Sequence, residues 1–443
     1  MPSLRPNKRS APSTWPLNVG LMAGGMALAF LVMMLPAPIN YAASAAVIGL
    51  TVSAVLPIRA LVFIWGALLP IWSVGTLNPL IFDALRFGLA GVIFIRSTKQ
   101  HRNLWSKPAS RIAIVLGAVG VIVGFIGLIR PESEAATTGL VMILGSVISY
   151  SVLSRSTEPW TLLNGYLAGT ALSAIVLVLA GFGYQTITPL EFAGYARLSG
   201  LSPSATLVTY QMALGVVIAG AALGRKTMRP AYALIGLLSL FALLLSGGRG
   251  GIVALALVAV VAVRWRWIRP RYVVLGTIAV GGLLAYALSQ GIALNTLDRL
   301  TEQTTGSEAR TGLFEGALHA IASDPIIGIG YGAFEAAYGA LPHVALQTFF
   351  IIGGVACGLP IIWVFLVLLR RVAAVDPRPF GPSGYAGHMM VAVLIAPVFL
   401  EPTGPFVGAA FVTLLLLALS LTEKQPDDDV ATEQRTELEM ASS

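Results

Sequence analysis

Three arginines and one histidine lie in or beside polar segments between long apolar runs, and together they could bind a diphosphate and activate a hydroxyl. Arg197, Arg249 and Arg310 carry guanidinium groups, which bind phosphate oxygens through paired N–H donors and stay charged at any working pH. His343 opens an apolar run, and an imidazole suits general-base chemistry near neutral pH. These residue types indicate a site that holds a diphosphate and activates a hydroxyl.

The surroundings of Arg249 favour anion binding. It lies in the glycine-rich stretch Ser246-Gly247-Gly248-Arg249-Gly250-Gly251, where backbone N–H groups can approach an anion closely. The next helix is predicted to begin at Gly250, so its positive N-terminal end would point to the same surface. We therefore count Gly250 among the candidate supporting residues.

Arg310 lies in the only long polar segment of the chain, residues 292–343. Ser307 is the predicted N-cap of a helix in this segment, and Asp324-Pro325 is its predicted end. A turn-rich stretch, Asp324-Pro325-Ile326-Ile327-Gly328-Ile329-Gly330-Tyr331-Gly332, follows. If the protein carries out chemistry, we expect it to be in this segment.

Helical spacing places Arg310 on the apolar side of its predicted helix. It shares one stripe with Leu313, Phe314, Ala317 and Ile321, so it is expected to face the protein or the membrane rather than open water. An arginine in such a place needs a partner. The candidates are Glu191, Glu308 and a ligand phosphate.

Simpler explanations exist for each of these residues. Asp83 and Arg86 are three residues apart within an apolar run, so they share a helix face and are predicted to form an intramembrane pair that could support the site. Arg130 has Glu132 and Glu134 as neighbours. Any of the arginines could instead pair with a local carboxylate or extend to the membrane interface, and His343 could be a simple polar cap.

Composition fixes the class of the protein. The chain is 56% hydrophobic and 11% charged, and its apolar runs of about 20 residues can each cross a hydrocarbon core of about 30 Å. Continuous rather than alternating apolar runs indicate helices. We predict an all-α polytopic membrane protein with 12–14 transmembrane helices and one large outer loop containing short helices. Three of its fourteen apolar windows are short: 230–246, 250–264 and 385–400.

The distribution of basic residues predicts the orientation. If the N-terminus is cytoplasmic and the spans alternate, 22 of the 28 lysines and arginines are cytoplasmic, as the positive-inside rule requires. Both termini are then cytoplasmic and residues 292–343 are external. The rule also accounts for the net charge of +8, so we predict no nucleic-acid binding. The six basic residues left over are all arginine: Arg86, Arg130, Arg197, Arg249, Arg299 and Arg310.

The same pattern divides the chain into four parts. Residues 1–291 are a predicted transmembrane bundle, 292–343 the outer loop with the catalytic elements, and 344–421 the C-terminal transmembrane helices. Residues 422–443 are polar and acidic, and are predicted to be a disordered cytoplasmic tail. The single cysteine, Cys357, excludes an intrachain disulfide, and the four histidines lack metal-ligand spacing. We therefore expect neither a metal nor a cofactor.

Taken together, these motifs resemble the O-antigen ligase and polysaccharide polymerase superfamily of bacterial envelope glycosyltransferases. The resemblance covers about residues 197–369, and the chain departs from the usual pattern at Val344, where family members often have asparagine. Its features are the Arg-Leu-Ser-Gly-Leu stretch at Arg197, the glycine-rich turn at Arg249, the Arg310 helix with the turn after it, and His343 before a span containing Gly353-Gly354.

The resemblance implies a metal-independent transfer of a glycan from a polyprenyl (undecaprenyl) diphosphate carrier to an acceptor hydroxyl. The reaction would take place on the outer, periplasmic face of the bacterial inner membrane, among membrane lipids. Arg197, Arg249 and Arg310 would hold the diphosphate, and His343 would activate the acceptor.

The expected reaction is O-antigen ligation to lipid A-core, and polymerisation onto another glycan is the alternative within the family. A lipid-linked glycan transporter and a structural scaffold are alternatives from other classes. Most of the candidate arginines lie at the predicted outer edge rather than deep in the bundle, which favours the enzyme.

Overall fold

A computed structural model describes most of the chain. It covers residues 49, 51, 55–72, 79–97, 108–130, 133–154, 159–182, 184, 190–191, 197–202, 204–225, 228–268, single positions between 271 and 289, 305–340, 342, 344–400 and 409–422. His343 and Arg299 lie outside the described residues, as does the tail after Thr422.

The described residues are almost entirely helical. The helices with defined bounds are α1 (Ile58–Leu68), α2 (Pro79–Arg96), α3 (Pro108–Ile129), α4 (Ser133–Leu153), α5 (Pro159–Gly181), α6 (Ala205–Ala222), α7 (Arg229–Leu245), α8 (Arg249–Arg264), α9 (Thr305–Ser323), α10 (Tyr331–Tyr338), α11 (Ala345–Ala374), α12 (Gly381–Ile395), α13 (Pro397–Leu400) and α14 (Ala409–Leu421). A 3₁₀ turn covers Arg378–Phe380, and a short antiparallel ladder pairs β1 (Leu190–Glu191) with β2 (Arg197–Leu198).

The protein is an all-α polytopic membrane protein, as predicted. Within the described part of the chain, five helical stretches are long and apolar enough to cross a membrane: Pro108–Ile129, Ala135–Leu153, Pro159–Gly181, Ala345–Ala374 and Arg378–Phe399. Helix α7 is one of the shorter apolar helices. The bounds of α7 and α8 follow the two short predicted windows closely. The total of 12–14 spans stays a prediction.

Contacts between helix ends agree with the predicted alternation of the spans. At one end, the Arg130 guanidinium donates to Gly328 O at 3.0 Å, and the Trp72 N–H donates to Leu201 O at 2.7 Å. In each contact, both partners belong to segments that the charge pattern places on the same side of the membrane. The same holds at the opposite end for Trp265 with Val372, Arg371 with Thr422, Arg225 with Trp160, and Trp160 with Ser383.

Helix α11 is interrupted at its ninth and tenth residues. Gly353 has φ −142° and ψ 23°, and Gly354 has φ 57° and ψ −148°. The second pair of angles lies in a region that essentially only glycine can adopt. Such a break removes helical hydrogen bonds, and backbone groups at membrane depth must find other partners.

The turn after α9 supplies those partners. The Val355 N–H donates to Pro325 O at 2.9 Å, and the Gly330 N–H donates to Ile351 O at 3.0 Å. We call residues 324–330 the docked turn. Its backbone completes the hydrogen bonding of the broken helix, and the broken helix completes that of the turn.

Glycine is required on both sides of this contact. A Cβ atom at Gly354 would lie 2.1 Å from Ile326 O, and one at Gly328 would lie 2.3 Å from Ile351 O. Gly328 also has a positive φ of 77°. Within the turn, Asp324 accepts the Gly328 N–H at its carbonyl and the Ile327 N–H at Oδ1. The turn therefore also has hydrogen bonds of its own, which do not involve α11.

Replacing Gly354 should disrupt this contact. We expect Gly354→Ala to lower the thermal stability of the purified protein, because the backbone conformation alone costs about 1–3 kcal/mol for a non-glycine residue. The added methyl group would also collide with Ile326 O. The measurement is a thermal unfolding curve followed by size-exclusion chromatography in detergent.

Gly88→Ala is the matched control. Gly88 lies in α2, and a Cβ added there meets no atom within 4 Å. This substitution should be neutral or slightly stabilising because alanine favours a helix over glycine. Equal stability of the two variants would contradict the proposed role of Gly354.

Candidate functional site

The Arg249 turn joins α7 to α8 through tightly packed glycines. A Cβ at Gly248 would lie 1.9 Å from Thr209 Cγ2, and one at Gly250 would lie 2.2 Å from Tyr210 Oη. Gly250 is buried, whereas Arg249 is exposed. The glycines therefore let α8 begin in direct contact with α6, a packing role that the sequence interpretation did not include.

Arg249 is the first residue of α8, where an arginine is electrostatically unfavourable. The N-terminal end of a helix carries a partial positive charge, which favours anions and disfavours cations. The first turn of α8 contains no acidic residue, and its N-cap, Gly248, offers no side-chain cap. The guanidinium and the helix end thus concentrate positive charge at one exposed place, which suits an anionic ligand.

Arg197 is held by a segment that re-enters the bundle. The β-ladder places Glu191 directly opposite Arg197 and Leu190 opposite Leu198. Glu191, which was considered as a partner for Arg310, is therefore the cross-strand neighbour of Arg197, a favourable position for opposite charges.

The residues after β2 are anchored by two hydrogen bonds. The Leu201 N–H donates to Ser173 Oγ at 3.2 Å, and Leu201 O accepts the Trp72 N–H at 2.7 Å. Ser199 and Ser202 on either side are fully buried. Arg197 is thus followed by an anchored stretch of chain, at the end of the bundle where Arg130 also lies.

Arg86 belongs to the support of this segment. It is 2% exposed, and its Nε donates to Leu68 O at 3.0 Å. Its Nη2 donates to Ile71 O, and its guanidinium carbon lies 5.2 Å from the centre of the Trp72 ring. These carbonyls are at and beyond the C-terminal end of α1, where helical partners run out. Arg86 is therefore tied to the Arg197 segment through Trp72, in addition to its predicted pairing with Asp83, whose side chain lies outside the description.

Helix α9 carries Arg310 and ends where the sequence predicted. It runs from Thr305 to Ser323, directly before Asp324. Ser307 was predicted as the N-cap, and this was wrong, because the helix begins two residues earlier. The helix contacts the rest of the protein through a cluster in which Ala317, Ala320, Phe334 and Ile351 are buried and Leu313 and Ile321 are partly buried.

The exposed side of α9 is divided into an apolar part and a polar part. Phe314 and Leu318 are exposed, and so are Glu315 and His319. His319 therefore lies away from the packed side of the helix. Position 310 is one helical turn before Phe314, between the packed side and the exposed apolar side.

His343 itself is outside the described residues, but both of its chain neighbours are anchored. The Thr348 hydroxyl lies 3.4 Å from Pro342 O and 3.3 Å from Val344 O, and it can donate to either. Val344 is the N-cap of α11. Pro342 and Val344 are therefore held at the first turn of a long, well-packed helix.

Two polar residues near these elements have surroundings that the sequence does not predict. Gln347 lies in the first turn of α11, is 7% exposed, and its Oε1 has no hydrogen-bond partner among the described residues. Arg130 donates to Gly328 O, although Glu132 and Glu134 were its expected partners. Its Nη1 is buried and, in the part of the chain the structure describes, unpartnered. No local pattern indicates either feature, because a glutamine in an apolar run and a contact across 198 residues leave no periodic signal.

The candidate site residues thus lie on three parts of the structure. Arg249 begins α8, position 310 lies on α9, the docked turn joins α9 to the break in α11, and position 343 directly precedes Val344, the N-cap of α11. Arg197 lies on a separate anchored segment. The structure describes the backbone but not the side chains of Arg197 and Arg310, so their roles in binding stay predictions.

A family model described as O-antigen ligase matches residues 234–351. A search of curated proteins finds no significant match. The matched range begins in α7, contains Arg249, Arg310, the docked turn and position 343, and ends at Ile351 just before the break in α11, whereas Arg197 lies before it. The resemblance seen in the motifs is thus confirmed over these residues, and the match supports membership of the chain in the O-antigen ligase superfamily.

Proposed function

We propose that this protein transfers a glycan from a polyprenyl diphosphate carrier to an acceptor hydroxyl on the outer face of the inner membrane. The proposed acceptor is lipid A-core, so the reaction is O-antigen ligation. The observation that carries this proposal is the family match over residues 234–351. That range contains two of the three proposed diphosphate-binding arginines, the docked turn and the proposed base.

The proposed donor site uses arginines in place of a metal ion. Arg249 adds its charge to the positive end of α8, and Arg197 and Arg310 would complete the set. Guanidinium groups fixed around a diphosphate stabilise the negative charge that develops on it when the glycosidic bond breaks. Arg249 and Arg310 lie on helices, and Arg197 lies on the anchored segment of β2. The three guanidinium groups would therefore need little rearrangement during the reaction.

The proposed chemical step is a single displacement. The His343 imidazole accepts the proton of the acceptor hydroxyl while the hydroxyl oxygen attacks the anomeric carbon of the donor glycan. The bond from that carbon to the diphosphate oxygen breaks, and the polyprenyl diphosphate leaves with the electron pair. Attack from the face opposite the leaving group inverts the anomeric centre.

Ligation and polymerisation differ only in the acceptor, so an assay must offer both. Purified protein in liposomes is incubated with a polyprenyl diphosphate-linked glycan and with lipid A-core. Glycan on lipid A-core supports the ligase proposal. Growth of the lipid-linked glycan without transfer to lipid A-core would assign the protein to polymerisation instead. The absence of transfer to either acceptor would contradict the proposed function.

Removing one diphosphate-binding arginine should reduce transfer strongly. We expect Arg249→Ala and Arg310→Ala each to lower the transfer rate about tenfold to a hundredfold, which corresponds to about 1.5–3 kcal/mol for a charge-assisted hydrogen bond. Lysine at either position should restore part of the rate, because it keeps the charge but cannot form the paired contact.

Arg370→Ala is the control for this series. Arg370 is an exposed arginine near the opposite end of α11, so its loss should leave the transfer rate within a factor of about two, the size expected for an exposed charge. If Arg249→Ala and Arg310→Ala both retain the full rate, the arginines do not hold the donor.

Removing the proposed base should abolish transfer without loss of donor binding. We expect His343→Ala to lower the rate about 100-fold or more, the usual contribution of a general base. The wild-type rate should also fall in acid, because a protonated imidazole cannot accept the hydroxyl proton.

His319→Ala separates this role from a general need for histidine in the outer segment. His319 is exposed on α9, and its replacement should leave the rate unchanged. Near-normal turnover in His343→Ala would exclude the proposed mechanism. An inactive His319→Ala protein with an active His343→Ala protein would move the base to α9.

A further inference from the structure

Four large apolar side chains are exposed on the segment that the sequence analysis assigned to the outer loop. Ile326 is 69% exposed and Ile327 is 55% exposed, both in the docked turn, and Phe314 and Leu318 are exposed on α9. An aqueous loop seldom exposes so many large apolar groups close together. The depth of these side chains in the membrane, measured along the neighbouring helices, explains why they are exposed.

Helix α11 provides a first measure of depth. Sixteen residues separate Gly354 from Arg370, which corresponds to about 24 Å of helix. The Trp265 indole donates to Val372 O at 3.0 Å, and tryptophans and arginines in such places mark a membrane interface. Since a hydrocarbon core is about 30 Å thick, Gly354 lies inside that core, towards the outer side. Pro325 O accepts the Val355 N–H, so the docked turn begins at the same depth.

Helix α3 provides an independent measure. Nineteen residues separate Arg111 near its start from Arg130 just after its end, or about 28 Å of helix. Arg130 is therefore at the outer boundary of the hydrocarbon core. Its guanidinium donates to Gly328 O, so the end of the docked turn is at this boundary, in agreement with the depth along α11.

The exposed surface of the turn continues a surface of α11 that faces away from the bundle. Val355, Leu359 and Leu366 are exposed on α11, and their spacing places them on one side of the helix. Val355 is the residue whose N–H binds Pro325 O. The apolar surface of a membrane-spanning helix thus passes directly into the apolar surface of the turn.

Helix α9 lies at nearly the same level. Ala317 and Ala320 pack in one cluster with Ile351, which is three residues, or about 4.5 Å, further outward along α11 than Gly354. Phe314 and Leu318 are on one exposed side of α9, and Glu315 and His319 are on the adjacent side. This arrangement is typical of a helix that lies in a membrane interface.

We infer that residues 325–327 and the Phe314–Leu318 side of α9 insert into the outer leaflet of the membrane and contact the acyl chains of its phospholipids. This part of the outer segment, residues 314–327, is thus a membrane-inserted wedge rather than a wholly aqueous loop. Position 310, one helical turn before Phe314, is then at the level of the lipid headgroups. The insertion itself does not depend on the proposed transfer reaction.

Spin labels can measure this depth directly. Cys357 is the only cysteine of the chain, so Cys357→Ala provides a background in which Leu318, Ile326 and Ile327 are replaced one at a time by cysteine and labelled with a nitroxide. The proteins are reconstituted in phospholipid liposomes, and power-saturation EPR compares collisions with oxygen, which concentrates in the bilayer, and with a water-soluble nickel chelate. His319→Cys and Glu335→Cys are the matched controls, since both side chains are exposed on the same segment.

We expect labels at 318, 326 and 327 to collide more with oxygen and labels at 319 and 335 to collide more with the nickel chelate. Two turn positions and one helix position are used so that a single poorly folded variant, identified by size-exclusion chromatography, does not decide the result. Nickel access at 326 and 327 equal to that at 335 would overturn the inference. Shielding from both reagents together with spin–spin broadening would overturn it in favour of contact between two copies of the chain.

Discussion

The hydrogen bonds between the docked turn and the broken helix α11 are the interaction on which the arrangement of the site depends. A helix in lipid can be interrupted only if other groups satisfy its backbone. Here Pro325 O accepts the Val355 N–H and the Gly330 N–H donates to Ile351 O. The break and the turn therefore require each other, and neither is a stable arrangement at that depth without its partner.

This contact fixes the two helices on either side of the docked turn relative to the bundle. Helix α9, with position 310, ends directly before the docked turn, and α10 begins directly after it. The chain then reaches position 343 and the start of α11, so the segment returns to the helix on which its own turn is docked. Arg130 adds a tie to α3 by donating to Gly328 O. Position 310 is thus connected to α11 through the docked turn, and Val344, next in sequence to position 343, is the N-cap of that helix. Arg249 and Arg197 lie on other elements, α8 and β2.

The sequence predicted the features that depend on local pattern. Apolar run length predicted the helices, including the close bounds of α7 and α8, and Asp324-Pro325 predicted the end of α9 at Ser323. The alternation of basic residues predicted which helix ends meet. These signals are visible because periodicity, proline and charge act over a few residues or over a whole span.

Other features were not predictable because they depend on contacts between distant parts of the chain. Gly353 and Gly354 were noted as a motif, but their role requires knowledge that the turn at Pro325 packs against them. The glycines around Arg249 were interpreted as anion binders, which stays a prediction, and their close packing on Thr209 and Tyr210 was not foreseen. The partner of Arg130 is 198 residues away. The sequence pattern does not indicate contacts between residues so far apart in the chain.

Hydrogen–deuterium exchange in lipid nanodiscs tests the central contact most directly. Peptides covering residues 324–332 and 350–358 should both exchange slowly, on the time scale of the buried helices, because their amides are bonded to each other across the break. Arg130→Gln removes the guanidinium that donates to Gly328 O. It should therefore speed exchange in the first peptide more than in the second. Exchange of residues 324–332 within seconds in the unmodified protein, as in an open loop, would contradict the docking of the turn on α11.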